Sequence, residues 1–111
     1  MVVPEKKVFK PGVNFITPNH LTLQLGFIKH KSNTYIKPHT HKNYLRKIKK
    51  TTEILLIKNG SMRVDFYSKK KYLFSKVVNK NKILVLLDGS HGFKILKNCS
   101  IIEIKQGPFS L

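Results

Sequence analysis

The most constraining feature of this chain is a two-residue alternation of apolar and polar side chains. In "LTLQLGF", Leu21, Leu23, Leu25 and Phe27 alternate with Thr22, Gln24 and Gly26. In "SMRVDFYS", Met62, Val64 and Phe66 alternate with Arg63, Asp65 and Tyr67. Successive side chains of a strand point to opposite faces, so this pattern specifies half-buried strands, and no stretch carries a capped 3.6-residue period. Asn59-Gly60, Asn79-Lys80-Asn81 and Lys97-Asn98 interrupt the apolar runs and read as turns, the first as a hairpin turn. About eight short strands at regular spacing predict an all-β sandwich or barrel. Any helix is expected to be one short turn, in "NYLRKIKK".

A chain of 111 residues with 41% hydrophobic content is expected to be a single domain, 1–111. Within it, residues 1–19 read as an N-terminal arm or strand and 20–109 as the barrel. No run reaches the roughly 18 uncharged apolar residues that span a bilayer, so no membrane partner is expected. The start, "MVVPEKKVFKPG", has no signal-peptide core, and the lone Cys99 fits a reducing compartment, so a cytoplasmic protein is expected.

The formal net charge is +17, with 22 Lys plus Arg against five acids. Such a field attracts anions. The lysines are spread over nearly every loop and no interleaved aromatic stacking surface is apparent in the sequence, so nucleic acid is not the expected partner; a small anionic or sugar substrate is. The five acids are Glu5, Glu53, Asp65, Asp88 and Glu103. Of these, Glu53 and Glu103 fall inside apolar runs. In "TTEILLIKNG", Glu53 shares a strand face with Leu55 and Ile57 while Ile54 and Leu56 fill the other. Both faces therefore read as buried, and a carboxylate there needs a cation, a metal or dense donors.

The stretch "IKPHTHKN" places His39 and His41 two residues apart. On a strand the pair would project from one face and could chelate one ion; on a helix it would diverge. Pro38 gives no ladder hydrogen bond and suits a rim position. By the same parity, Tyr35 and Lys37 would share that face and serve as acid–base candidates beside a bound ion. His91, in "LLDGSHGF", sits at a strand start between glycines. Three imidazoles and one carboxylate suit a divalent transition metal (Fe, Mn, Ni or Zn). The competing readings are solvent-facing histidines near a turn for His39 and His41, a strand-capping loop histidine for His91, and a core carboxylate held by Lys for Glu53. His20 and His30 read as structural or surface groups, Cys99 as a small buried hydrophobe, and Arg63 with Asp65 as an ordinary cross-strand polar set sharing one face. Glu103 is open to pairing with Lys105 or Arg63.

These residues resemble a family. His39-x-His41, then Glu53, six residues and Gly60, is similar to the first cupin motif, H-x-H…E-x6-G, and His91 resembles the lone histidine of the second. The closing "IEIKQGPF" resembles the E-x-K-x-G-P-[YF] end of short cupins encoded in polysaccharide and O-antigen gene clusters. The chain departs from the pattern in the long insert "KNYLRKIKKTT" between His41 and Glu53. It departs again where Leu86, Asp88 and Ile95 replace the Pro, Gly and Asn of the second motif. The resemblance implies a double-stranded β-helix (jelly roll) with a metal inside, held by His39, His41, Glu53 and His91. It also implies a homodimer, for which the apolar "VNFI" lacks another partner. The activity it implies is sugar or sugar-nucleotide isomerase or epimerase chemistry, with Tyr35 and Lys37 as proton carriers. A non-catalytic metal- or sugar-binding module and a metal-dependent dioxygenase are the alternatives.

Overall fold

The computed structural model describes residues 2–4 and 10–108. It is all-β and antiparallel, and no helix occurs among the described residues. The strands are β1 (Val2–Pro4), β2 (Gly12–Phe15), β3 (Gly26–Lys29), β4 (Glu53–Ser68), β5 (Lys71–Asn79), β6 (Lys82–Leu86) and β7 (Ser90–Lys105). The chain divides into two compact units, Met1–Glu5 with Lys50–Leu111, and Lys6–Lys49. Of the closing "IEIKQGPF", Phe109 lies outside the described residues.

The larger unit is organised around β4. On one edge of β4 runs β7, paired from Glu53↔Lys105 to Tyr67↔Ser90. On the other edge β5 pairs with Ser61–Ser68 and β6 with Glu53–Leu56, and β1 adds outside β6. Because β7 covers both halves of β4, β5 and β6 follow each other along the same opposite edge. The three breaker signals therefore are not chain reversals. Asn59-Gly60 lies within β4, Lys97-Asn98 lies within β7, and Asn79-Lys80-Asn81 is a jog between β5 and β6, where the Asn81 N–H donates to Ile57 O at 2.8 Å.

All three signals fall on one line across the sheet, where the β4–β7 register slips at Ile57/Asn59, Asn59/Ser61 and Ser61/Met62. Slips of this kind are bulges, which kink a sheet and raise its twist. Gly60 has φ +82°, and a Cβ there would overlap Asn98 O and lie 2.7 Å from its carbonyl carbon. The sequence signal was therefore sound about backbone conformation and wrong about direction: positive φ serves a bulge as well as a turn. The actual reversal between β4 and β5 is Lys69-Lys70, both with positive φ (50° and 66°), flanked by the Ser68↔Lys71 pair. No glycine or asparagine marks it.

The bend explains the core. Leu86 stands opposite Glu53 while Ser90 stands opposite Tyr67, at the two ends of β4. Four residues of chain span at most ~14 Å, whereas a straight 16-residue strand would be ~50 Å long. The two ends of β4 must therefore be folded toward each other. The inward row reads Leu55, Ile57, then Met62, Val64; the switch from odd to even numbers shows that the bulges keep one face inside. Val78, Leu84 and Leu86 complete the core, with Phe66, Cys99 and Ile101 packed against it. The half of β4 before the bend is buried on both faces, since Ile54, Ile83, Val85 and Val3 are also buried. That agrees with the expectation for Glu53's run.

In the smaller unit, β2 and β3 pair from Gly12↔Lys29 to Phe15↔Gly26. Their connection is held by Gln24, whose amide donates to Pro18 O and Leu21 O (2.9 and 2.8 Å) and whose Oε1 accepts from the Thr17 hydroxyl at 2.6 Å. The strand expected over "LTLQLGF" is confined to Gly26–Lys29. Residues 30–50 contain no strand and no helical turn in "NYLRKIKK", and every one of them is exposed. Six lysines, an arginine and three histidines among those 21 residues explain why nothing packs there.

Candidate functional site

Glu53 opens β4 on the face that carries Leu55 and Ile57 inward. His91 is the second residue of β7 and stands opposite Phe66, which packs on the core, so it shares that inward face. The two are 38 positions apart in sequence, and the fold of β4 brings them together: His91 Nε2 lies 3.3 Å from Glu53 Oε2. Their side chains are only 24% and 17% exposed. The pair thus sits at the mouth of the folded sheet, at the outer end of the Ile57–Leu55–Glu53 row. Phe93, two residues on, places its ring 5.1 Å from the His91 ring.

Two further contacts fix the start of β4. Lys50 Nζ donates to Asp88 Oδ2 at 2.5 Å, which ties the approach to β4 to the β6–β7 connection, and Asp88 Oδ1 also accepts from the Gly89 N–H at 2.7 Å. The Lys50 hydrogen bond, with help from Gly89, holds the Asp88 carboxyl below the usual carboxylate range. The buried Thr52 donates its N–H to Gln106 Oε1 at 2.6 Å, tying the same approach to the chain leaving β7. None of Lys50, Asp88, Thr52 and Gln106 was assigned a role from the sequence. The scarcity of acids was the one available signal, and it applied to Asp88.

His39 and His41 lie in the other unit, in the exposed stretch without strand structure. The pleat that would place Tyr35, Lys37, His39 and His41 on one face is therefore absent, which corrects the parity expectation. The two rings nevertheless meet edge to face, 5.1 Å apart at 71°. His39 Nδ1 lies 2.9 Å from Lys37 O. A carbonyl oxygen only accepts, so Nδ1 carries a proton; in the neutral ring that is the tautomer in which a histidine coordinates a metal through Nε2. Tyr35 is 76% exposed, and Lys37 is exposed as well.

The four candidate metal donors thus form two described pairs, one in each unit. Among the described residues, no group of three or more His, Cys, Asp or Glu side chains is gathered as a metal site. The cross-strand polar set expected of Arg63 and Asp65 is mainly a pairing within β4, and Cys99 is half-buried, not buried. Arg63 pairs with Asp65 through two bonds of 2.8 and 3.0 Å. Asp65 also accepts from the Ser75 hydroxyl. Its carboxyl is lowered by Arg63 and then by Ser75, against an opposing effect of burial. Glu103 lies 3.9 Å from Lys105, His20 and His30 are exposed, and Cys99 is half-buried against the core. No described helix is long and apolar enough to cross a membrane. Comparison with protein families, with curated proteins and with solved structures finds no match.

Proposed function

We propose that the protein is a metal-binding domain of the cupin jelly-roll type that acts on a sugar or sugar nucleotide as an isomerase or epimerase in the cytoplasm. Glu53 and His91 provide two donors from the folded sheet, and His39 and His41 provide two more. The observation that carries this reading is the Glu53–His91 contact of 3.3 Å. Two residues marked as ligands by their motif positions, 38 positions apart in the chain, meet here as a half-buried pair. The donor chemistry fits: imidazole and carboxylate together suit Fe, Mn, Ni or Zn. The Nδ1–H of His39, given to Lys37 O, presents Nε2 for coordination.

A divalent ion there would polarise a substrate carbonyl as a Lewis acid. The chain's own groups would do the rest. Phe93 lies against His91, the buried Thr52 ties the start of β4 to Gln106, and Tyr35 or Lys37 carries a proton. The exposure of Tyr35 and Lys37 favours a second reading in which the same donors bind metal or sugar without turnover. A homodimer forms part of the proposal, with the exposed Val13, Phe15 and Ile28 of β2 and β3 as the apolar surface to be covered. Light scattering at 12.9 kDa would remove that part.

Metal analysis of protein purified without a histidine tag tests the main reading. One equivalent of metal per chain is expected, lost in His39→Ala/His41→Ala and separately in His91→Ala, with the circular dichroism of the sheet unchanged. Metal retained in either variant at full stoichiometry would overturn the shared-ion assignment. Glu53→Gln separates a ligand, whose loss weakens metal affinity, from a histidine partner, whose loss destabilises the metal-free protein alone.

A further inference from the structure

The charge of the molecule is divided unevenly. Lys6–Lys49 contains ten Lys and Arg and not one Asp or Glu, a formal +10, whereas the other unit carries twelve basic residues and all five acids, +7. No carboxylate of its own can neutralise the smaller unit. Within it, a recess of about 370 Å³ lies where β2 begins and β3 ends, lined by Pro11, Gly12, Lys29, His30, Lys31 and Thr34. The volume is at the lower end of the range for small-ligand sites, about 300–1,000 Å³.

We propose that this recess is a phosphate site and takes the diphosphate group of a small metabolite. It uses none of the metal donors, and it stands whether or not they bind an ion. Lys29 and Lys31 flank the recess as two ammonium charges, the form in which lysine binds phosphate. Thr34 brings a hydroxyl donor, and its N–H donates to Lys31 O at 3.2 Å, which closes the turn that carries Lys31. Gly12, paired with Lys29, has φ +89°, and a Cβ on it would meet nothing within 4 Å. The space above that backbone is open, so an anion can approach the main chain closely there. The Asn14 side chain donates to Lys10 O at 3.1 Å and fixes the approach to Pro11. Compactness argues for a small ligand: the lining comes from the end of one strand pair and the turn beside it.

The test is calorimetric titration with inorganic pyrophosphate at low and at roughly physiological salt, where exposed charges are screened within about 8 Å. The wild-type protein is expected to bind one pyrophosphate. Lys29→Ala/Lys31→Ala should weaken binding at least tenfold, and Lys29→Arg/Lys31→Arg should largely restore it. The control, Lys69→Ala/Lys70→Ala, removes the same charge from the other unit and should change affinity less than twofold. An equal loss in both double variants, or no binding at low salt, overturns the site in favour of a diffuse field. An oligothymidylate that binds more tightly than pyrophosphate, and whose affinity ignores Lys29 and Lys31, also overturns it. The metal-free His39→Ala/His41→Ala protein should bind pyrophosphate as wild type does, so that failure of the metal reading and failure of this site remain distinguishable.

Discussion

The two units solve opposite problems. Lys50 onward builds a sheet whose central strand is buried on both faces over its first half, and it holds every acid of the chain except Glu5. Lys6–Lys49 has one short strand pair, a 20-residue stretch (30–49) exposed throughout, and no acid. The first has apolar area enough to order its polar groups: Asp65 with Arg63 and Ser75, Thr52 with Gln106, Glu53 with His91. The second orders itself through Gln24 and the β2–β3 pair and leaves its charges in water. Substitutions of one kind should therefore cost very different amounts in the two units.

Gly60→Ala is the largest expected effect. Positive φ and overlap with the Asn98 carbonyl combine, so about 4 kcal/mol of stability should be lost in urea denaturation. Met62→Ala follows, at about 3 kcal/mol, because Met62 is fully buried in the inward row. The matching change in the smaller unit, Gly12→Ala, meets open space and should cost only the conformational term, about 1–2 kcal/mol. Equal losses at Gly60 and Gly12 would show that the bend is not clamped by β7. Replacing the reversal Lys69-Lys70 by Asn-Gly should raise stability by about 1 kcal/mol, since the positive φ values then fall on residues that accept them.

Acid sharpens the same contrast. The Asp65 carboxyl is held below its ordinary value in the folded chain by Arg63 and Ser75. Its contribution is therefore complete above the ordinary carboxylate range and is lost as pH falls through its depressed value. Asp65→Asn should flatten the acid limb of stability measured between neutral pH and pH ~3, and the limb should be read by amide signals of β4 and β5. The smaller unit has no carboxylate side chain to protonate over that range. The smallest effect belongs to Asp88→Asn. Its partner Lys50 is 67% exposed and Asp88 is 64% exposed, so thermal denaturation should barely register the loss.

What could be read from the sequence follows the range of the signal. Burial on both faces around Ile54–Ile57 and the alternation from Met62 to Phe66 are local properties, and both appear in β4. Glu53 stood out because a carboxylate in an apolar run needs a partner, and one stands beside it. Asn59-Gly60, Asn79-Lys80-Asn81 and Lys97-Asn98 marked irregular backbone correctly, but no local rule says whether such backbone turns the chain or bends a sheet. Lys50–Asp88 and Thr52–Gln106 join residues 38 and 54 positions apart, and apart from the scarcity of acids, which singles out Asp88, no sequence signal points to either pairing. The strand expected for His39 and His41 is absent: the stretch around them is strongly basic, and its large apolar residues, Tyr35, Ile36, Tyr44, Leu45 and Ile48, all remain exposed instead of joining a sheet.

The long pairing of β4 with β7 also sets the order in which the molecule can be made. The partners range from Tyr67 with Ser90 to Glu53 with Lys105, all distant in sequence. β5 and β6 can line one edge of β4 as soon as they leave the ribosome, but the opposite edge stays bare until residues 90–105 have been synthesised. Until then the inward row of Leu55, Ile57, Met62 and Val64 lacks the wall that β7 supplies. Closure of so many distant contacts at once is expected to be slow, on the order of milliseconds to seconds once the last strand is available.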